Sequence, residues 1–183
     1  MKKRSSKVLL AEALLHLSES APIDKITVKQ LVIESGVSLQ TFYNHFKDKN
    51  DLILWIHRSV YEDLFERMLK GEISRDEMLK EYVSYYMEHK QFMLNAFYST
   101  MSTESIVRNI SDHTFLLYEG FLKKKEQIET LPEDISFLLR MYCSTGTLAL
   151  VKCIELYPNI AEEKVVDYLK ESIPKKLLEY IEK

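Results

Sequence analysis

The chain has 183 residues, of which 46% are hydrophobic and 29% charged, with a net charge of −3 and only four glycines and four prolines. That balance supports a globular core and excludes wholesale disorder, and so little glycine and proline leaves scant punctuation for an architecture of many short strands. The charge is unevenly spread: residues 1–60 hold nine Lys/Arg against six Asp/Glu, a net of +3, and the other 123 hold 16 against 22, a net of −6, the pattern of a basic head on an acidic body.

No uninterrupted run of about 18 apolar residues is present, so no transmembrane helix is expected. Met1-Lys2-Lys3-Arg4 is basic like the start of a signal peptide, but Glu12 and His16 interrupt the segment that follows, and a cytoplasmic protein is expected. Cys143 and Cys153 are ten residues apart in one predicted helix, roughly 15 Å along its axis. A disulfide tolerates a Cα separation of about 7 Å, so two reduced thiols are expected.

In chain order, the first helix spans about 6–19, with Leu10, Ala13, Leu14 and Leu17 on one stripe, and ends before Pro22. Thr27-Val28-Lys29-Gln30 has the form of a capping box and opens a second, short helix, which Gly36 closes. Ser38 caps a third over about 39–46. Asp48 caps a long fourth that carries Leu52, Ile53, Ile56, Val60, Leu64 and Met68 and breaks at Gly71. Further helices follow near 75–90, 91–101, 104–128, 133–156 and 161–182, the last kinked near Ile173 by Pro174. No stretch alternates with a two-residue period. The fold class expected is all-α with about nine helices: a three-helix head over 1–48, then a larger helical regulatory and dimerisation domain over 49–183.

Helix 27–34, the turn Ser35-Gly36-Val37 and helix 39–46 have the proportions of a helix–turn–helix. At 100° per residue, Phe42 and Phe46 fall on one side of the third helix and Gln40, Thr41 and Asn44 on the other, flanked by Tyr43 and His45. Amides suit the adenine edge in the major groove, and hydroxyl or ring N–H groups suit phosphates. Leu39 fits either a thymine methyl or the Phe42 face. Lys2, Lys3, Arg4 and Lys7 read either as a solubilising tail or as an arm that seeks a groove or phosphates.

The segment "ITVKQLVIESGVSLQTFYNHFKDKNDL", Ile26 to Leu52, resembles the N-terminal motif of the TetR family of transcriptional regulators. The Thr-Val pair opening the second helix, Gly-Val-Ser at the turn, Thr-Phe-Tyr, His-Phe and the later Lys fall in the family's order over about 45 residues, counting the first helix. The resemblance implies a homodimer on a double-stranded DNA operator, with recognition helices about 34–36 Å apart in successive major grooves. It also implies that a small-molecule effector in the second half moves the long fourth helix and releases the DNA. Carried over by position, Thr27 and Lys29 are backbone contacts, Thr41, Tyr43 and His45 phosphate or base contacts, and Lys49 a phosphate contact helped by a helix N-terminus. Ser38, Leu39, Gln40 and Asn44 complete the expected DNA-facing set. Leu39-Gln40 stands where many members carry Lys or Arg followed by Gly, which leaves the operator sequence open.

In the second half, Tyr82, Tyr86, Phe97, Tyr98, Phe115 and Tyr118 are the expected effector pocket, apolar with phenolic handles. Gly146 costs a helix interior roughly 1 kcal/mol against Ala, which points to close approach of another helix. Tyr142, Thr145, Gly146 and Ala149, with Leu169, Ile173 and Leu177 of the last helix, are expected to form half of a four-helix dimer interface. No enzyme, cofactor or metal site is expected: the five histidines lack metal-binding spacing, and there is no C-x-x-C and no glycine-rich phosphate loop. The alternative is an adaptor of the same fold acting through protein contacts.

Overall fold

A computed structural model describes residues 4–98 and 103–182. The helices are α1 (Ser6–Ser20), α2 (Val28–Ser35), α3 (Leu39–His45), α4 (Lys49–Leu69), α5 (Arg75–Glu88), α6 (Lys90–Phe97), α7 (Thr103–Glu126), α8 (Glu133–Leu156), α9 (Glu162–Glu171) and α10 (Lys175–Glu182), with a 3₁₀ turn at Ile23–Lys25. No strand occurs among the described residues. The expected end of the sixth helix near 101 falls outside them, as do Lys2 and Lys3.

Side-chain caps set the helix starts. Ser5, Thr27, Ser38, Asp48 and Ser74 each accept a backbone N–H of the first turn, which satisfies donors that a helix otherwise leaves orphaned. The last segment departs from expectation. Pro174 splits it into two helices rather than kinking one, which makes ten α-helices among the described residues. Proline offers no N–H, and its ring drives the preceding residue out of helical dihedrals, so α9 ends at Glu171 with Ser172 as its cap.

Three contiguous clusters form the core. The first joins Leu10 and Leu14 of α1, Ile23, Ile26, Leu31, Phe42 and Phe46 to Leu52, Ile53 and Ile56 of α4 and Phe92 of α6. The head is thus packed onto the start of α4 and onto α6. The second lies among α4, α5, α7, α8 and α10, and the third among α5, α6, α7, α8 and α9.

Helix α8 is long and apolar. Over 18 residues its mean hydropathy reaches 1.3, so by length and composition it is apolar enough to cross a membrane. Ser144, Thr145, Gly146 and Thr147 break any uninterrupted apolar run yet lower the mean only slightly. Only 28% of that window is buried inside the subunit, although Leu139, Cys143, Leu150 and Ile154 are core. Both thiols are free, Cys143 buried and Cys153 partly so.

Candidate nucleic-acid interface and ligand cavity

The α2–α3 unit is built from local hydrogen bonds. Thr27 Oγ1 accepts from Gln30 N–H at 3.2 Å while Gln30 Oε1 accepts from Thr27 N–H at 2.8 Å, the full capping box. Gly36 ends α2 at φ 67°, a left-handed conformation that glycine adopts without a Cβ penalty. Ser38 Oγ accepts from Thr41 N–H at 3.1 Å and lies 2.8 Å from the Thr41 hydroxyl, so Ser38 starts α3 as well as standing exposed on it.

The two sides of α3 divide as the helical period requires. Phe42 and Phe46 are buried with ring centroids 5.9 Å apart, and Phe46 meets Trp55 of α4 edge-on at 5.8 Å. Outward stand Gln40, Tyr43, Asn44 and His45, with Thr41 half-buried. Tyr43 is 55% exposed even though its ring abuts Phe42 at 5.2 Å. Gln40 Nε2 donates to Asn44 Oδ1 at 3.0 Å, which holds the two amides side by side one turn apart. Leu39 is 52% exposed, which places it outside the Phe42 face. On α2, Thr27 and Lys29 are exposed as well.

The expected cations behave differently. Lys49 donates its ammonium to the carbonyl of Ile26 at 2.7 Å and also to that of Ile23. Partial burial lowers its pKa, against the opposing pull of Asp24. Its ammonium is turned into the head, where the carbonyls of Ile23, the first residue of the 3₁₀ turn, and of Ile26, its C-cap, accept from it. Lys7 lies 5.8 and 5.6 Å from the ring centroids of Phe46 and Trp55, and Arg4 pairs with Glu12 at 2.9 Å. Neither is a free arm.

Behind α4, three adjoining cavities share walls. The outer one, about 420 Å³, is lined by Met68, Leu69, Ser74, Arg75, Asp76, Tyr118, Phe121 and Ile181. A neck of about 30 Å³ shares Arg75, Asp76, Tyr118 and Ile181 with it and adds Lys170 and Ile173. An inner recess of about 60 Å³ is walled by residues that include Tyr61, Tyr82, Tyr142, Cys143, Gly146 and Thr147. Burial raises every phenol here; Tyr82 is pushed up to about 12, and the Cys143 thiol likewise to about 12. The recess is therefore uncharged at neutral pH. A Cβ on Gly146 would meet no atom of this subunit within 4 Å, and the glycine lies on the wall of the recess.

A line of contacts leads from that recess into α4. The Tyr82 ring meets Tyr86 edge-on at 4.8 Å, and the Tyr86 hydroxyl lies 2.6 Å from His57 Nδ1. His57 is buried and stacked on Tyr86 at 5.5 Å and on Phe92 at 5.6 Å. Burial lowers its pKa to about 4, so it is neutral.

Of the expected pocket residues, Tyr82 and Tyr118 line this space. Tyr86, Phe97 and Phe115 are packed in the core, with the Arg140 guanidinium 3.9 Å over the Phe115 ring. Tyr98 faces outward, where its hydroxyl accepts from Lys152 at 2.9 Å. A hydroxyl on a ring does not tell from sequence which ring meets space. Arg75, Tyr61, Cys143 and Thr147 escaped the sequence reading because nothing local distinguishes them from ordinary helix residues.

The expected dimer set also changes. Leu169 and Leu177 are buried within the subunit and Ile173 is half-buried; α9 and α10 turn their apolar sides inward. Tyr142 and Gly146 sit on the cavity wall, while Thr145 and Ala149 are exposed. Among the apolar residues left outside on the body are Leu69 of α4, Leu116 of α7, Phe137, Met141, Leu148 and Leu156 of α8 and Tyr168 of α9; of these, Phe137, Met141 and Leu148 share one side of α8, with Phe137 63% and Leu116 62% exposed. Arg140 bridges to Asp112 at 3.3 Å, which sets α7 beside α8 along this face.

Comparison with solved structures places the fold. The dihydroxyacetone kinase operon activator DhaS aligns with 92% of this chain and 96% of its own at 20% identity, TM-score 0.60. A TetR transcriptional regulator from Streptococcus agalactiae covers 93% and 94% at 18% identity, TM-score 0.57. Thermus thermophilus FadR, a TetR-family repressor solved with lauroyl-CoA, covers 91% and 92% at 13% identity, TM-score 0.60. No protein-family profile matches the sequence, nor does any curated protein. The chain has the fold of TetR-family transcriptional regulators: a helix–turn–helix head followed by a helical body.

Proposed function

Starting from that fold, we propose that this protein is a sequence-specific, DNA-binding transcriptional repressor that works as a homodimer in the cytoplasm and leaves its operator when a small molecule occupies the cavity behind α4. The observation that carries the reading is the side of α3 formed by Gln40, Tyr43, Asn44 and His45, exposed while Phe42 and Phe46 anchor the helix from behind. Amides and hydroxyls on an exposed short helix are the groups that meet base edges and phosphates in a major groove. Thr27, Lys29, Ser38, Leu39 and Thr41 extend the same surface.

For the second subunit we propose the face of Leu116, Phe137, Met141, Thr145, Leu148 and Ala149, which pairs α7 and α8 with their copies in a four-helix arrangement. An apolar patch of this kind on one chain calls for a partner, and two-fold pairing is the commonest way to supply it. The effector role rests on position: Tyr61, Met68 and Leu69 are α4 residues on the cavity walls, and Lys49 at the other end of α4 grips the head. A ligand that fits a displaced α4 better than the resting one shifts the dimer away from its DNA-bound spacing. FadR and DhaS, a repressor and an activator by name, indicate that the same parts serve either sign of regulation.

The test is enrichment of genomic fragments on the purified protein. The reading expects fragments with two half-sites about one helical turn apart. Recovery of none, together with capture of a defined protein partner, would establish the adaptor instead.

A further inference from the structure

We infer that this protein reads its operator half-sites at A·T pairs: the linked amides of Gln40 and Asn44 take an adenine, and Leu39 takes the methyl of a neighbouring thymine. This rests on the DNA-binding reading above and adds to it which bases α3 recognises.

The geometry of α3 puts the amides foremost. At about 100° per residue, Gln40 and Asn44 lie roughly 160° round the helix from Phe42 and Phe46, whose rings are buried in the head. Leu39 and Tyr43 form one flank and Thr41 and His45 the other, each about 100° from the amides. Gln40 Nε2 donates to Asn44 Oδ1 at 3.0 Å, so the two amides act as one unit. That bond uses one N–H of Gln40 and one lone pair of Asn44. It leaves the Gln40 carbonyl oxygen as an acceptor and the Asn44 NH2 as a donor. Turning both amides over exchanges their roles and leaves the same set. Leu39 is the first residue of α3 and is 52% exposed, at the end of the helix where recognition helices meet base edges.

This set selects among base pairs. In the major groove adenine offers the N6 donor beside the N7 acceptor, which one acceptor and one donor satisfy together. Guanine offers O6 and N7, both acceptors, and would set O6 against the Gln40 oxygen. The commonest readers of guanine are Arg and Lys, and α3 carries neither. The exposed lysines that flank it in sequence, Lys29 and Lys47, lie outside the helix and suit phosphates. Leu39 has no polar side-chain atom, so the thymine methyl is the groove feature from which it gains.

The experiment is selection of bound sequences from a pool of randomised DNA duplexes by the full-length protein, followed by titration of the selected duplex carrying base analogues. The selected half-sites should contain an adenine and a neighbouring thymine, and exchange of the adenine's pair for G·C should weaken binding at least about tenfold. In the wild type, 7-deazaadenine, which removes only the N7 acceptor, should cost about fivefold. Uracil in place of the thymine, which removes only the methyl, should cost about fourfold. Asn44→Ala should bind the adenine and 7-deazaadenine duplexes alike, and Leu39→Ala the thymine and uracil duplexes alike; the analogues test the wild type independently of either variant. Half-sites with G·C at every selected position, a wild type indifferent to either analogue, or a Leu39→Ala protein that still tells thymine from uracil overturns the inference and leaves DNA binding standing. Selection of no sequence from the pool overturns the inference and the DNA-binding reading together.

Discussion

Lys49 donates to the carbonyl of Ile26 at 2.7 Å across 23 residues of chain, and to Ile23 across 26. The first residue of α4 is thereby tied to the turn that precedes α2, so a movement of α4 is delivered to the head as a rigid displacement. With Phe46 set against Trp55, this joint is the route that the proposed function assigns to a cavity event reaching α3.

Replacing Lys49 tests whether it clamps the head or touches a phosphate. Lys49→Met should lower unfolding stability by about 1–2 kcal/mol through two lost charge-assisted hydrogen bonds and weaken operator affinity through looser positioning. The slope of log affinity against log salt should stay at its wild-type value. A slope shallower by about one would identify a lost phosphate contact and restore the role that the sequence resemblance implies.

His57 gives stability a defined pH dependence. Its imidazole titrates at about 4 in the native protein against an ordinary 6.5. Between those values the unfolded chain binds a proton that the native chain does not, so stability falls as pH drops through the window, by about 3 kcal/mol in all. Above it, this group's contribution is constant. Urea unfolding of wild type and His57→Gln at pH 7 and pH 5 should show the wild type losing more, because the carboxylates titrate alike in both proteins. Parallel losses would place His57 in a solvated environment.

The dimer face and the cavity wall separate cleanly by mutation. Phe137→Glu should give a folded monomer in sedimentation, and with it a large loss of operator affinity. Gly146→Ala has open space for its methyl and should stabilise the subunit by up to about 1 kcal/mol through helix propensity without altering the dimer. A Gly146→Ala monomer would mean that another helix does pack against residue 146.

The head was legible in the sequence because its signals are local. Capping residues, the glycine at φ 67° and the Phe42/Phe46 spacing each act within a few positions, and the structure keeps all of them. The body was legible only as helices. Which side of α9 and α10 faces inward depends on where α5 and α8 lie, so Leu169 and Leu177 looked like interface residues and proved to be core. The same holds for Tyr98, whose ring differs from that of Tyr82 only in where the fold places it, and for Lys49, whose partners are more than 20 residues away.

Equilibrium titration of an enriched DNA fragment by wild type and Tyr43→Ala across a salt series bears most directly on the role of α3. The wild type should lose affinity steeply as salt rises, since phosphate contacts release counterions. Tyr43→Ala should bind the fragment at least about tenfold more weakly while sedimenting as an intact dimer. A Tyr43→Ala protein that binds as tightly as wild type, with the same salt dependence, would mean that this side of α3 is not what meets DNA.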